Sequence, residues 1–397
     1  MSDQTTTIPK GWKMTTLGAV VEFQRGFDLP TQDRIKGNYP LIASTGIDGY
    51  VKEYKALAPG VVTGRSGSLG KVLFIKDNYW PLNTTLWIKD FKSNYEKFIY
   101  YWLLSFPFEK YNAGTGVPTL NRNHIHQVEV VLPENSEEQQ AIAAVLSSLD
   151  DKIELLQEQN KTLEAIAQAI FKEWFVNFNF PDATGKMIDS ELGEIPEEWK
   201  IEKLKDVVIE NRRGISPHYS KSGVAVINQR CVRNGTITEE AIQFHNNEIQ
   251  EAPTWFYLQP KDILINSMGV GTLGRVAQIF SKREKPYLIH SCITILRANK
   301  EIIDPIILGY NIKFLEDKIE SMGAGTTGQT SLNNTLLGEM QIIIPDKRTQ
   351  DQIIPALYYM SVKIDSNYTQ IQTLSKLRDT LLPKLMKGEV RVKGFKD

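Results

Sequence analysis

Arginine, asparagine, glutamine and serine set among glycines recur in paired loops along this chain, a chemistry suited to reading DNA base edges and phosphates. Arg25 beside Gly26, then Arg65, Ser66, Ser68 and Lys71 around Gly67 and Gly70, Thr115 between two glycines, and Asn121 mark the first half. Arg212 and Arg213 before Gly214, Asn228, Arg230, Arg233, Arg275, Thr327, Gln329 and Asn333 mark the second. An arginine can bond guanine bidentately, and an asparagine or glutamine can do the same with adenine. Glycine lets a backbone N–H come close to a phosphate. The same residue types also build ordinary polar turns, and composition alone does not separate the two readings.

Patterns that would carry catalysis are weaker. Gly269–Gly274 has the G-x-G-x-x-G spacing of a dinucleotide loop, which should open a helix. Here Arg275–Phe280 reads as a strand, and the first copy has Arg65 in place of the first glycine. Gly64–Lys71 is one residue too long for a phosphate-binding Walker loop, and Val72 stands where a Mg²⁺-binding hydroxyl is required. Asp182 with Glu198 and Lys200 follows a nuclease-like order, but nothing in the pattern makes the two carboxylates converge on one ion. His124 and His126 lack a third ligand and fit a surface turn or strand edge, so no metal is expected. No Pro-Pro dipeptide is present, which excludes the Asp/Asn/Ser-Pro-Pro-aromatic signature of amino-methyltransferases. The chain is expected not to be an enzyme on its own and to carry no cofactor.

The elements that position these loops occur twice. Ile8-Pro9-Lys10-Gly11-Trp12 returns as Ile195-Pro196-Glu197-Glu198-Trp199, and Gly67–Val72 as Gly271–Val276. Thr119-Leu120-Asn121 returns as Ser331-Leu332-Asn333, and Val130–Pro133 as Ile342–Pro345. The offset grows from 187 at the tryptophans to 204 and then 212, so the second copy gained residues in its middle. The copies read as mixed α and β, with a twisted, highly curved sheet expected in each.

Between them the pattern turns helical. Ile142, Leu146, Leu149, Ile153, Leu156, Asn160, Leu163 and Ala167 alternate spacings of four and three, a coiled-coil seam. Ile364, Asn367, Ile371, Leu374, Arg378, Leu381 and Leu385 repeat it, with Pro355 and Pro383 expected to kink or break that helix. Two such helices can pair antiparallel. The segments are therefore 1–135 and 181–346, two similar domains, with 136–180 and 347–397 as helical regions.

Composition fits an ordinary globular protein of two or three domains, at 397 residues and 41% hydrophobic. With no signal-peptide pattern, no membrane-length apolar run and only Cys231 and Cys292, a cytoplasmic location is expected. From Glu134 to Glu173, nine acids face three lysines; the chain's net −1 then leaves +5 on the rest. An acidic rod with mildly basic flanks is compatible with nucleic-acid binding.

Several segments resemble the specificity subunit of type I restriction–modification enzymes over essentially the whole chain. They are Ile170-Phe171-Lys172-Glu173-Trp174-Phe175-Val176, Asp189–Trp199, Leu381–Val390, and Ser136–Ile142 with its echo Thr349–Ile354. The resemblance implies two target-recognition domains joined by two long antiparallel helices. Each domain would read one half of a split, asymmetric double-stranded DNA site. Two modification subunits would dock on the chain and bring S-adenosylmethionine. Restriction subunits, where present, would add ATP- and Mg²⁺-dependent translocation and cleavage.

The helices would act as a ruler for the unread spacer. One added heptad lengthens a helix by about 10.5 Å, roughly three base pairs. Matched insertions in both helices are therefore expected to lengthen the spacer and leave both half-sites intact. An unchanged spacer in methylation mapping would sink that expectation. The competing reading is a DNA-independent scaffold that holds two protein partners. Sequence-dependent affinity that falls steeply with salt would separate the two.

Overall fold

A computed structural model gives the fold; residues 8–280, 285–323 and 331–395 are described. The chain forms two compact units, one from Met1–Glu154 with Gln372–Asp397 and one from Leu155–Ile371. This differs from the four consecutive segments read from sequence, because both long helices supply residues to both units.

In the first unit, strand Trp12–Thr16 pairs antiparallel with Glu129–Pro133 and closes the ends of the repeat. A four-stranded antiparallel sheet runs in the order Glu22–Arg25, Thr85–Asp90, Gly60–Gly64 and Val72–Ile75. A second sheet places Lys36–Ala43 between Gly46–Val51 and a parallel partner, Trp80–Pro81. Helix Glu96–Leu104 buries Phe98, Ile99, Trp102 and Leu103 in a core with Phe23, Val61 and Leu86.

The second unit repeats this plan. Lys200–Lys203 pairs with Gln341–Ile344, and its main sheet runs Val208–Arg213, Ile293–Ala298, Ile263–Asn266 and Val276–Gln278. Its other sheet again contains one parallel pair, Val224–Ile227 with Tyr287–Ile289. Hairpin Val232–Arg233/Thr236–Ile237 and strand Gln243–His245 lie in the interval where the repeat offset grows. Helix Pro305–Phe314 starts where proline needs no N–H, and Asp304 caps it by accepting from Ile306 N at 2.8 Å. Among the described residues, the strands of neither unit make one highly curved sheet. They are short, and turns break them into several small sheets.

The helices are Ser136–Phe175 and Lys347–Met386, 40 residues each. In the first unit, Ile142 and Leu146 pack with Leu381 and Leu385, and Arg378 pairs with Asp150 at 2.8 Å. In the second, Asn160 meets Asn367 while Ala167 and Phe171 share a core with Leu357 and Met360. Both pairings are antiparallel, as the seams predict. Every seam position is buried or half-buried, including Leu149, Ile153, Leu156, Leu163, Ile364, Ile371 and Leu374.

Pro355 does not break its helix. Residues 351, 352, 355 and 356 face solvent, where water can satisfy the carbonyl that proline leaves without its N–H. Pro383 falls in the last turn, where few bonds remain to lose. Past Phe175 the first helix ends. Glu173 accepts from the Asn177 and Asn179 side chains, and Phe178 takes φ +55°. Among the described residues no helix is long and apolar enough to cross a membrane.

Candidate nucleic-acid interface

Two glycines set the geometry of both candidate surfaces. Gly26 N–H donates to Thr85 O at 3.1 Å and Gly214 N–H to Ile293 O at 3.0 Å. A Cβ on Gly26 would lie 2.1 Å from Leu82 O, and one on Gly214 would lie 1.9 Å from Ile289 O. No side chain fits there, so these glycines serve the fold's own backbone rather than a phosphate. The following residues repeat the match, Phe27 N with Pro81 O and Ile215 N with Ile289 O, both at 2.8 Å. Positions 27, 28, 82 and 83 therefore correspond to 215, 216, 290 and 291.

In the first unit this frame opens onto a cleft of about 700 Å³. Arg25, Arg65 and Asn121 line it, three of the residues picked out by sequence. Gln24, Asp28, Arg122 and Asn123 line it too, and sequence reasoning missed them. Their adjacency to Arg25, Gly26 and Asn121 was the available signal. Asn121 caps helix Arg122–His126 by accepting from Asn123 N at 3.0 Å, which holds Arg122 and Asn123 at the cleft. Ser66 bridges to Thr119, and Arg65 O accepts from Leu120 N at 2.8 Å, tying both walls together. Ser68 is half-buried and not in the cleft lining, Thr115 is exposed, and Lys71 donates to Thr45 O. His124 and His126 lie on the short helix rather than in a turn, and His126 meets the edge of strand Glu22–Arg25, the other placement that the sequence offered. His126 Nε2 accepts from Phe23 N at 3.0 Å, and burial pushes this imidazole below its ordinary pKa.

In the second unit, Arg213, the counterpart of Arg25, donates to Ser331 Oγ and Leu332 O at 2.6 and 2.7 Å. Asn333 caps helix Asn334–Gly338 as Asn121 caps its own. Arg212 pairs with Glu210 and lies 5.6 Å over the Trp255 ring. Asn228 is buried, donates to Ala241 O at 2.7 Å and accepts from Arg230 N at 2.9 Å, so its amide builds the turn. That turn leaves Arg230 and Arg233 exposed. Exposed Arg275 donates to Gly271 O at 2.8 Å. Thr327 and Gln329 lie outside the described residues.

The Arg65 comparison needs correcting. Leu332 N donates to Ser267 O just as Leu120 N does to Arg65 O, so Arg65 matches Ser267 and not Gly269. The loop from the Thr63–Val72 pair has eight residues and that from the Ile265–Val276 pair has ten, which shifts the alignment.

The catalytic look-alikes are structural. Gly269–Gly274 leads into strand Val276–Gln278, and Asp182 pairs with Arg348. Among the described residues no group of three or more His, Cys, Asp or Glu is placed to hold a metal. A cavity of about 50 Å³ beside Glu164, Tyr310, Lys313 and Asp365 has room for water but not for a nucleotide.

Residues 9–165 and 196–376 match the family model for the type I restriction modification DNA specificity domain, once in each repeat. The chain belongs to this specificity family. Among its relatives is the type I restriction enzyme MjaIX specificity subunit of Methanocaldococcus jannaschii, 28% identical over 302 residues. That match covers 71% of this chain and 65% of the relative, so the chain spans just under two thirds of that protein. The MjaVIII specificity subunit of the same organism is 22% identical over 98% of this chain and 95% of its own. The crystal structure of a type I restriction-modification S subunit from M. genitalium shares the fold. Its TM-score is 0.67 at 17% identity, covering 97% of this chain and 98% of that one.

Proposed function

We propose that this specificity-family chain is the DNA-recognition subunit of a type I restriction–modification complex, reading a split site with one unit per half. The observation that supports this reading most is the matched backbone frame. The same glycine-fixed loops occur in both repeats, with different polar side chains mounted on them. Such a pair suits two half-sites of unlike sequence. In this reading the chain supplies recognition. Two modification subunits dock on the helical region and bring S-adenosylmethionine for adenine methylation. A restriction subunit, where it joins, brings the ATP- and Mg²⁺-dependent steps. The helices set the unread spacer.

The test is genome-wide adenine methylation in a host that carries the cognate modification subunit, with and without this chain. A split motif with a fixed gap, present only with the chain, is the expected result. No new motif despite an intact complex would favour the protein scaffold.

Arg65→Ala and Arg275→Ala sharpen the test. Arg65 lines the first unit's cleft and Arg275 is exposed in the second. Each variant should alter only its own half-site, with Arg65→Ala costing about 1–3 kcal/mol in discrimination at the affected base. Effects confined to expression or solubility would return these arginines to ordinary turn chemistry.

A further inference from the structure

On the reading that the second unit recognises DNA, we propose that Tyr219 is a specificity-determining hydrogen-bond donor for its half-site, positioned by His290. Neither residue stands out in the sequence. Tyr219 is 56% exposed, at the start of strand Tyr219–Ser220. Its hydroxyl lies 2.8 Å from His290 Nε2, and its ring stacks on the imidazole at 6.3 Å between centroids and 22° between planes.

The backbone decides which way the proton points. Cys292 N–H donates to His290 Nδ1 at 3.0 Å, so that nitrogen presents its lone pair. Burial lowers the His290 pKa and keeps the ring neutral, which puts its one proton on Nε2. Nε2–H then donates to the tyrosine oxygen. The tyrosine must direct its own O–H elsewhere, and the ring face held by His290 leaves the exposed side for it. The result is a fixed donor on a rigid aromatic arm.

Its location is that of the reading surface. His290 occupies the position of Leu82, and its neighbour Ser291 faces Ser216 with their hydroxyl oxygens 3.3 Å apart. The matched pair in the first unit is Asn83 donating to Asp28, and Asp28 lines the cleft with Arg25 and Arg65. At one place in the shared frame, the first unit thus carries a carboxylate and an amide. The second carries two hydroxyls and the tyrosine O–H. In the major groove that O–H complements an acceptor: purine N7, guanine O6 or thymine O4.

The test uses the full chain in complex with its modification subunits and maps methylated motifs. Tyr219→Phe, which removes only the hydroxyl, should relax discrimination at one base by about tenfold. That base should lie in the half-site that Arg65→Ala leaves unchanged. His290→Leu, which installs the residue of the matched first-unit position, should relax the same base. The double variant should be no worse than Tyr219→Phe alone, as expected when histidine acts through the tyrosine. Uniformly slower methylation with an intact motif would mean that the hydroxyl meets a phosphate, and an unaltered motif and rate that it meets only solvent. Either overturns the proposal while leaving the DNA reading standing. Absence of any split motif with the unmodified chain would overturn both.

Discussion

Glu138→Ala should destabilise the first unit by about 3–5 kcal/mol, the cost of leaving a buried charge without its partner. Glu138 is 2% exposed, and its carboxylate accepts from Arg391 Nε and Nη2 at 2.9 and 3.0 Å and from Trp12 Nε1 at 3.2 Å. Arg391 also donates to Lys10 O at 3.0 Å, and its side chain is 13% exposed. One carboxylate thus ties together three segments far apart in sequence: the entry to the first strand, the first turn of a long helix, and the tail after the other helix. Such a pair is not strongly stabilising in itself, since desolvation offsets most of the attraction. Removing one member is costly because the other stays behind. Arg391→Ala should therefore destabilise in the same direction, and Glu138→Gln should fall between. Urea unfolding of the chain would read this as a lower midpoint at unchanged slope. Variants within about 1 kcal/mol of the parent would show that the site admits water freely and that the argument fails.

The same tryptophan is held differently in the other repeat, which shows where sequence reading stops. Trp12 and Trp199 were recognisable as a repeated pair from their flanking residues. Nothing in those residues says that Trp12 bonds a carboxylate, while Trp199 packs against Phe175, Phe178 and Phe180 at 5.1–5.6 Å. Local pattern carries periodicity, so the seams and the strands at Gly60–Gly64 and Glu129–Pro133 were legible. It does not carry the tertiary contacts made at a helix end. No glycine or proline lies between Pro133 and Pro181, yet the helix stops at Phe175, and Phe178 and Phe180 beyond it cover Trp199.

The candidate interface divides in the same way. Arg25, Arg65 and Asn121 were found because they sit beside glycines or repeat exactly spaced triplets, and the fold brings them to one cleft. Asn228 fitted the same composition rule but is spent on its own turn. Tyr219 and His290 are 71 residues apart, and the bridge of Ile215 to His290, beside the parallel pairing of Val224–Ile227 with Tyr287–Ile289, brings their neighbourhoods together.

Asn160→Leu should destabilise the second unit by about 1–3 kcal/mol, although it places a better helix former on an apolar seam. Asn367 is fully buried and donates through Nδ2 to Asn160 Oδ1 at 2.9 Å and, more distantly, to Gln159 Oε1 at 3.4 Å. Replacing Asn160 alone removes the better acceptor and leaves a buried amide poorly paired. Its Oδ1 already has no protein partner among the described residues. Asn160→Leu combined with Asn367→Leu removes both amides, and should restore stability to at least that of the parent. A double-variant cycle by urea unfolding isolates the coupling. Additive single effects would show that the pair is not a unit. What the double variant should lose is definition. A polar residue on an apolar seam allows one pairing and penalises the slipped ones, at a cost in stability. Under the proposed function, in which the helices set the spacer, that selectivity would be worth more than the stability it displaces. In complex with its modification subunits, the doubly substituted chain should then direct methylation to sites of mixed spacer length, while a single sharp spacer would reduce the asparagine pair to a tolerated defect in the core.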